Sequence, residues 1–498
     1  MSYFGRNTAV KLITVFFIFM SCPAFAAGQR YLQLPASIHV SSRISDGRLS
    51  LEEIAQTASE NGFDVLIPAE RDFMRWEYGI RPLRNILKKR VQQRCVFSYG
   101  IKEYLRRMDS LKKQFPGMII INGLESAPYY YWQGSIFGDD LTIRDWHKHM
   151  LVLGLSRPSD LEYIPVIGNP RGLRQPLGMR TFFLALLPLA LAALAVLCVR
   201  RRQYRYADSS GNPLGPYSRP WRITGISLFI IAALVFINNY PFRDTKFDQY
   251  HNNIGVMPYQ NIIDYVNNRA GLIFWAHPEA ANSGKSGPIG FATDEHSDHL
   301  LLTRGYTGFA VFHEGFKRVG RAGGVWDQVL LEYCRGSRRS PVWAIACLAY
   351  DKTGSLSSYM RDVRTVLLSR ARTADDAMDA LRKGRMYCVR GKGSSEFILD
   401  RFTVTDSYGN DMAMGEEAAV RDDPVIRIEG HILHGQKKSF TIQLIRDGRL
   451  MRVFEAESPF ALSYVDSSDS GPSRSFYRVQ ITSGDLTVVS NPVFVQRQ

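Results

Sequence analysis

Two uncharged apolar segments, at residues 181–199 and 223–240, constrain the fold of this 498-residue chain more than any other feature. Each is long enough to cross the hydrocarbon core of a bilayer as a helix. The short loop between them holds six arginines and a single acidic residue, Asp208. Two buried core helices would leave that charge unexplained, whereas short arginine-rich loops are typical of the cytoplasmic side of a membrane. We therefore expect a two-helix transmembrane hairpin whose loop, residues 200–222, is cytoplasmic.

The N-terminus predicts on which side of the membrane the rest of the chain lies. Arg6 and Lys11 precede an apolar run at residues 12–20, and Ala24-Phe25-Ala26 completes the pattern of a secretory signal peptide with its cleavage site. Cleavage would remove residues 1–26, and a retained signal anchor is the alternative. Because a hairpin leaves both flanking regions on one side, we expect a multi-pass membrane protein whose large domains are extracytoplasmic, either periplasmic or at the cell surface.

Composition narrows the class of protein further. With 45% hydrophobic residues the chain can bury the cores of two or three domains. The net charge is +15, but much of the excess lies in the hairpin loop and the rest is diffuse, without a basic run interleaved with aromatic residues. This pattern argues against a nucleic-acid partner. The cysteines expected outside the cytoplasm could form disulfides or be buried thiols; they are Cys95, Cys334, Cys347 and Cys388.

Strand and helix patterns alternate immediately after the predicted signal. Ser50 and Glu53 have the spacing of a capping box, and the helix that they begin ends at Asn61-Gly62. Residues 63–67 then form a continuous apolar run typical of a buried strand. A strand followed by a helix and a second strand at this spacing predicts a parallel sheet.

The alternation resumes after the hairpin, so one α/β fold is split in sequence. Its two parts are predicted at residues 30–165 and 250–392. From residue 397 to 498 the pattern changes to short alternating apolar runs separated by turn residues. That pattern predicts a C-terminal antiparallel β-sandwich of ordinary domain size.

Histidines and carboxylates lie at or just beyond the ends of several predicted strands. Ligands of α/β sheets are bound at the carboxyl ends of the strands, so such residues are expected to meet in space. Imidazole and carboxylate donors together suit zinc or manganese. The residues are His39, Asp46, Glu70, Glu125, His149 and His277.

Several of these residues lie in recognisable motifs. His39-Val40-Ser41 is followed by Ser45-Asp46-Gly47, Glu125 ends Gly123-Leu124-Glu125, and His277 is the centre of Ala276-His277-Pro278. These motifs resemble those of the PHP (polymerase and histidinol phosphatase) family. The resemblance implies a distorted α/β barrel, a PHP-like (β/α) barrel interrupted here by the transmembrane hairpin. In that family, strand-end residues bind up to three divalent metals and hydrolyse phosphoesters.

The chain departs from the family pattern at several ligand positions. Ser41 stands where the family has a second histidine, and Arg71 brings a permanent cation to a position where a metal would lie. Ala349 replaces an aspartate, and Asp351 replaces the histidine that follows it. The resemblance therefore implies a reduced site with fewer than three zinc or manganese ions. The ligands that it implies are His39, Glu125, His149, His277 and Asp351.

Catalytic roles are expected for Glu70, Arg71 and Asp46, with Arg71 holding phosphate oxygens. Each assignment has an alternative. Glu70 could pair with a neighbouring cation, and Asp46 could cap a turn, as aspartate before glycine often does. His149 could pack in the core with His147 beside it in solvent.

Two functions remain open at this point. The first is a membrane-anchored, extracytoplasmic, metal-dependent phosphoesterase of the PHP type with a reduced metal site. The second is a catalytically inactive relative that uses the same pocket to bind or scaffold a phosphorylated or acidic ligand. The expected partners are the lipid bilayer, contacted through two helices, and a phosphorylated small molecule or glycan-type ligand.

Overall fold

The computed structural model describes residues 31–498, apart from segments at 176–178, 202, 206–208, 213, 218, 239–244, 351–353, 393, 395, 436 and 468–471. The predicted signal peptide, residues 1–26, and the predicted ligand Asp351 lie outside the described residues. Cys95, Cys334, Cys347 and Cys388 are free thiols; Cys334 is half-buried and the other three are buried.

The region before the apolar helices alternates strands and helices as predicted. Its strands are β1 (Leu32–Val40), β2 (Val65–Arg71), β3 (Arg75–Gly79), β4 (Lys88–Gln92), β5 (Ile119–Ile120), β6 (Gly123–Ser126), β7 (Tyr131–Gln133), β8 (Thr142–Arg144) and β9 (Met150–Leu153). Its helices are α1 (Leu51–Glu60), α2 (Val96–Tyr99), α3 (Ile101–Gln114) and α4 (Pro158–Glu162). The capping box predicted for α1 is confirmed, because Ser50 and Glu53 each accept a hydrogen bond from the other's backbone N–H.

The apolar segments form α5 (Met179–Arg200) and α6 (Arg219–Asn238), with β10 (Gln203–Arg205) and β11 (Leu214–Tyr217) between them. Within the described residues, α6 is the one helix whose length and composition suit a membrane span. The apolar part of α5 is shorter, at Leu186–Arg200. The sequence predicted two spans, whereas length and composition in the structure identify one.

The chain returns to the α/β pattern after α6. The helices here are α7 (Met257–Asn267), α8 (His299–Leu302), α9 (Val325–Cys334), α10 (Leu356–Asp362) and α11 (Ala374–Lys383). The strands are β12 (Leu272–Trp275), β13 (Asn282–Ser286), β14 (Ile289–Thr293), β15 (Gly308–Phe312), β16 (Trp343–Ala346), β17 (Val363–Ser369) and β18 (Met386–Arg390).

One large sheet joins the two parts that the apolar helices separate in sequence. Its strands lie in the order β16-β15-β12-β9-β6-β2-β1-β17-β18. The row curves until β16 approaches β1 again, since Leu348 N donates to Ile38 O (2.8 Å) and Ala349 N donates to His39 O (3.0 Å). The pairs β16–β15, β15–β12, β6–β2 and β2–β1 are parallel. In contrast, β9 runs antiparallel to both β6 and β12, and β17 runs antiparallel to both β1 and β18.

The C-terminal region is rich in strands. They are β19 (Phe397–Thr405), β20 (Asp411–Ala413), β21 (Glu417–Val420), β22 (Val425–Ile432), β23 (Ser439–Arg446), β24 (Arg449–Glu457), β25 (Phe460–Val465), β26 (Arg474–Ser483), β27 (Leu486–Ser490) and β28 (Val493–Arg497). The order β20-β19-β22-β25 forms one sheet, and β27, β26, β23 and β24 extend the large sheet beyond β18. The two layers enclose their own hydrophobic core.

The C-terminal region is therefore continuous with the α/β part through the β18–β27 pairing. A buried ion pair ties the two parts together as well, because Arg478 donates two hydrogen bonds of 2.7 Å to the carboxylate of Asp327 on α9. The predicted mixed α/β fold with a large sheet and a β-rich C-terminal region is thus confirmed.

Candidate functional site

Strand direction brings the predicted site residues to one edge of the large sheet. Arg71 ends β2, Glu125 lies near the end of β6, and His277 follows β12. His149 directly precedes β9, and because β9 is antiparallel to its neighbours, its beginning lies at the same edge as their ends. These side chains line or adjoin a cavity of about 220 Å³.

Glu125 is the centre of the polar contacts at this edge. Its Oε2 lies 3.0 Å from Nε2 of His39, and its Oε1 lies 2.8 Å from Nδ1 of His149 and 3.0 Å from Nη1 of Arg71. The side chain is buried. Burial alone would raise the pKa of Glu125, but Arg71, His39 and His149 overcome it and hold that pKa well below the usual value. Glu125 is therefore a carboxylate at neutral pH.

Three histidines lie together beside Glu125. The ligand atoms of His147, His149 and His277 all lie within 4.8 Å of one another. The rings of His147 and His277 are stacked with centroids 4.4 Å apart. Burial lowers the pKa of His147 to about 3 and also lowers the pKa values of His149 and His277. The three imidazoles are therefore neutral at physiological pH, which is the form that binds a metal.

Two buried nitrogens that lack hydrogen-bond partners in the described part of the chain also favour a divalent cation in this histidine cluster. Nδ1 of His147 and Nδ1 of His277 are buried, and neither has a hydrogen-bond partner among the described residues. Leaving a buried polar atom without a partner is costly, and a metal ion supplies such a partner. The residues present therefore suit a metal held by nitrogen ligands.

Arg71 contacts both Glu125 and His149, which also contact each other. Its Nη1 lies 2.8 Å from Nδ1 of His149, and its Nε lies 3.7 Å from Oδ2 of Asp46. The same Nη1 is 3.0 Å from Nε2 of His149, so a guanidinium that only donates hydrogen bonds competes with any metal at this ring. The predicted cation is thus inside the site, and Asp46 lies at its outer edge.

Glu70 lies behind the site rather than in it. Neighbouring residues of a strand point to opposite faces, so Glu70 faces away from the side chain of Arg71. Its buried carboxylate accepts hydrogen bonds from Ser42 N (2.8 Å) and Ser45 Oγ (2.5 Å). These contacts hold the loop at 41–47 that carries Asp46. The contacts of Glu70 are therefore those of a support for this loop, which differs from the catalytic role expected for it.

The same loop explains the glycine of the Ser45-Asp46-Gly47 motif. A Cβ atom on Gly47 would lie 2.1 Å from the carbonyl oxygen of Ser41, a distance that no side chain tolerates. Gly47 N also donates to Ser42 O (2.9 Å). The glycine thus permits a tight loop that places Ser41 and Asp46 on the cavity wall.

Two cavity residues were missed by the sequence interpretation. His147, placed in solvent only in the alternative considered for His149, lines the cavity, and His313, directly after β15, lines it too. The strand-end pattern used for the other residues would have identified His313. His147-Lys148-His149 is itself a His-x-His sequence, whose alternate side chains share one face.

Backbone conformation at the cavity is unusual. His39, His313 and Ala349 have φ values of 72°, 69° and 42°, in the left-handed region that non-glycine residues rarely adopt. All three line the cavity. Strain of this kind tends to collect at functional sites, where it aims side chains or backbone groups at a ligand.

Comparison with known proteins gives distant likenesses only. No family model matches the sequence, and a search of curated proteins finds no relative. A two-domain protein from Bacteroides vulgatus containing a predicted PHP-like metal-dependent phosphoesterase is 10% identical, with 91% of each chain covered and a TM-score of 0.34. A protein from Bifidobacterium adolescentis described as a metal-dependent phosphoesterase is 14% identical over 64% of this chain and 89% of its own (TM-score 0.26).

An amidohydrolase from Chromobacterium violaceum, with bound sulfate and no metal, is 14% identical over 63% of this chain and 86% of its own, with a TM-score of 0.24. At these identities and TM-scores the likenesses are remote. Two of these three structures are described as metal-dependent phosphoesterases, one of them as PHP-like.

Proposed function

We propose that this chain is a membrane-anchored, extracytoplasmic phosphoesterase, built on a PHP-like (β/α) barrel, with a reduced metal site. The observation that carries the proposal is the cluster of His147, His149 and His277, three neutral imidazoles whose ligand atoms lie within 4.8 Å of one another. Three nitrogen ligands leave room for water and substrate on a zinc or manganese ion.

A divalent ion is assigned to His147, His149 and His277, with Glu125 beside it. Such an ion, when bound, supplies Lewis-acid chemistry to a phosphoester and to water. Oε1 of Glu125 lies 2.8 Å from Nδ1 of His149, close enough for the carboxylate to share an ion bound at this ring. His39 contacts the other oxygen of Glu125 and limits the rotation of the carboxylate. His39 and Glu125 thus support the three-histidine cluster, and both remain candidate ligands.

Arg71 is assigned to the substrate phosphoryl group. Its guanidinium is a permanent cation at the cavity, where charge-assisted hydrogen bonds to phosphate oxygens are strong. Asp46 lies 3.7 Å from Arg71 Nε, beyond hydrogen-bond distance, and its charge favours this direction of the guanidinium. In this arrangement one metal ion and one arginine together balance the charge of a phosphoester, in place of several metal ions.

The alternative is a binding protein without catalysis, and one contact favours it. Arg71 Nη1 lies 2.8 Å from Nδ1 of His149, in space that a metal ion would use. Two unit positive charges about 4 Å apart repel by about 4 kcal/mol at an effective dielectric constant of about 20, and a divalent ion doubles that repulsion. If Arg71 keeps that position, the cavity would bind a phosphorylated or acidic ligand through the guanidinium alone.

Hydrolysis of generic substrates tests the proposal. The full chain, purified in detergent and reconstituted with Zn²⁺ or Mn²⁺, is expected to hydrolyse p-nitrophenyl phosphate or bis(p-nitrophenyl) phosphate. His277→Ala should abolish turnover, whereas His299→Ala, a histidine outside the cavity, should retain it. Wild-type protein that binds no metal and shows no turnover above the His277→Ala background would contradict the phosphoesterase assignment and support the binding protein.

Membrane anchoring is proposed through α5 and α6 as a hairpin. Large apolar side chains on both helices are exposed, among them Leu197 and Phe229. The two backbones approach closely at Gly225, where a Cβ atom would lie 2.7 Å from Ala195 O. Small residues at such contacts are typical of helix pairs in membranes. Retention of the full chain in the membrane pellet after alkaline carbonate extraction would support the anchor, and its release would contradict it.

The extracytoplasmic location rests on the sequence of the N-terminus and on the arginines of the hairpin loop. The test is accessibility of the large domains in sealed cells. An added protease should cut the large domains from outside the cytoplasmic membrane and leave a protected hairpin fragment. Complete protection of the large domains in spheroplasts would place them in the cytoplasm instead.

A further inference from the structure

A two-stranded ribbon beside the end of α6 carries an unusual concentration of positive charge. We call residues 75–94, which comprise β3, β4 and the loop between them with two residues beyond, the basic ribbon. Between Glu77 and Glu103 the sequence contains no acidic residue. The positively charged residues in this interval are Arg81, Arg84, Lys88, Lys89, Arg90, Arg94 and Lys102. Positive charge outside the hairpin loop is therefore concentrated in and beside the basic ribbon.

Part of this charge is available to a partner. Glu77 pairs with Lys88 and Arg90 at 2.8 Å each and neutralises some of it. Arg81, Lys89 and Arg94 are exposed, and no ion pair of theirs is found within the described part of the chain. These three side chains therefore present uncompensated positive charge to the surroundings.

Apolar side chains are exposed between these cations. Leu87 and Val91 are 53% and 48% exposed, and Ile80 is exposed as well. Cations alternating with exposed aliphatic residues suit an interface that is both anionic and apolar. Nucleic-acid surfaces instead favour aromatic residues among the cations. A bilayer surface has both properties, with anionic headgroups above the acyl chains.

Hydrogen bonds fix the ribbon to the end of α6. Asn85 N donates to Asn238 Oδ1 (3.0 Å), and Asn85 Nδ2 donates to Asn238 O (2.7 Å). Asn238 Nδ2 in turn donates to Pro82 O (3.2 Å). Asn238 is the last residue of α6. The loop of the basic ribbon is thus held at the end of the helix opposite to Arg219 and Arg222.

This placement defines the depth of the ribbon if α6 spans the bilayer. A helix of 20 residues is about 30 Å long, which matches the hydrocarbon core. With Arg219 at the cytoplasmic end, Asn238 lies at the opposite interface, and the ribbon bonded to it lies at the level of the headgroups. We propose that the basic ribbon binds anionic lipid headgroups on the extracytoplasmic surface of the membrane that anchors the chain. This inference rests on the proposed anchor but not on phosphoesterase activity.

Hydrogen exchange of the full chain in lipid nanodiscs tests the inference. Peptides covering residues 80–94 are compared in nanodiscs of phosphatidylcholine alone and with added phosphatidylglycerol. Each cation near an anionic surface favours the bound state about fivefold. Exchange in this segment is therefore expected to slow severalfold with phosphatidylglycerol. Equal exchange in the two lipids would overturn the proposal without the need for any variant.

Charge reversal sharpens the test. The variant R81E/K89E/R94E should lose the effect of phosphatidylglycerol. The control R449E/R452E, which reverses exposed arginines on β24 in the C-terminal region, should keep it. If the control loses the effect equally, the attraction is a general property of the net charge and the proposal is wrong.

If alkaline carbonate releases the wild-type chain from membranes, the anchor fails and this inference fails with it. If the chain stays in the membrane pellet but phosphatidylglycerol does not slow exchange in residues 80–94, the ribbon proposal is refuted and the anchor stands.

Discussion

Nη1 of Arg71 lies 2.8 Å from Nδ1 of His149, a nitrogen that is otherwise suited to bind a metal ion. The same Nη1 lies 3.0 Å from Oε1 of Glu125, so one guanidinium contacts both the carboxylate and a histidine of the cluster. A guanidinium cannot lose its proton in a protein, and it therefore opposes a nearby metal under all physiological conditions. The number of metal ions in this site depends on where Arg71 points.

Replacing Arg71 by histidine should increase metal binding. The substitution removes the permanent cation and adds a ligand at the position where the chain departs from the PHP family pattern. We expect the affinity for Zn²⁺ to rise at least tenfold, since the repulsion removed is about 4 kcal/mol for each unit of charge on the ion at an effective dielectric constant of about 20. Competition with a zinc-binding dye measures this change. Arg71→Lys, which keeps the charge, is the matched control, and equal affinities of the two variants would show that charge does not limit metal binding.

Metal affinity should depend weakly on pH between 6 and 7.5. An exposed histidine with a pKa near 6.5 is largely protonated at pH 6, and a metal must then displace the proton. Burial lowers the pKa of His147 to about 3 and holds those of His149 and His277 below their usual value. No proton then needs to be displaced, so the affinity measured by calorimetry should change less than threefold. If a ligand histidine had to lose a proton before binding the metal, the affinity would fall about tenfold per pH unit below the pKa of that histidine. A fall of that size would contradict the lowered pKa values.

Glu70→Ala should reduce stability while leaving the metal cluster in place. The substitution leaves Ser42 N and Ser45 Oγ without their buried acceptor, which costs about 1–3 kcal/mol for each group. Thermal unfolding followed by intrinsic fluorescence should show a lower Tm, and Glu70→Gln, which keeps one acceptor oxygen, should lose less. Metal content per folded chain should match the wild type. A variant with unchanged Tm but no activity would restore the catalytic role that the sequence suggested.

The Arg478–Asp327 ion pair should hold the C-terminal region against α9. Both side chains are fully buried, so Asp327→Ala leaves an unpaired charge and should destabilise the protein by about 3–5 kcal/mol. The double variant Asp327→Leu with Arg478→Met removes both charges and should recover most of the loss. Denaturant unfolding of the two variants measures the difference. Equal destabilisation by the single and double changes would show that apolar packing, rather than the unpaired charge, dominates.

Much of the fold followed from local patterns in the sequence. The alternation of apolar strands and amphipathic helices predicted the α/β class, and the capping box at Ser50 placed the start of α1 correctly. The strand-end rule selected Glu125 and His277 for one edge of the sheet, and the family resemblance pointed to Arg71 there; the structure places all three at that edge. These features depend on residues close together in the chain, which is why the sequence alone reveals them.

Features that depend on strand direction or on distant pairings were missed. Glu70 and Arg71 are adjacent, but alternation along β2 sends only Arg71 into the site. The reversed direction of β9 brings His147 and His149 together with His277, and no local pattern indicates that reversal. The pairing of β18 with β27 likewise joins distant segments, so the C-terminal region shares a sheet with the α/β part rather than standing apart.

The metal content of the purified full chain tests the central claim most directly. The protein is dialysed against buffer with Zn²⁺ or Mn²⁺ and then against metal-free buffer, and inductively coupled plasma mass spectrometry gives the ratio of metal to chain. We predict about one ion per chain, as expected for a single site with three nitrogen ligands. The ion should be lost in His149→Ala and His277→Ala and retained in His299→Ala. A folded wild-type chain with no bound metal, or one whose metal survives both cluster substitutions, would contradict the account.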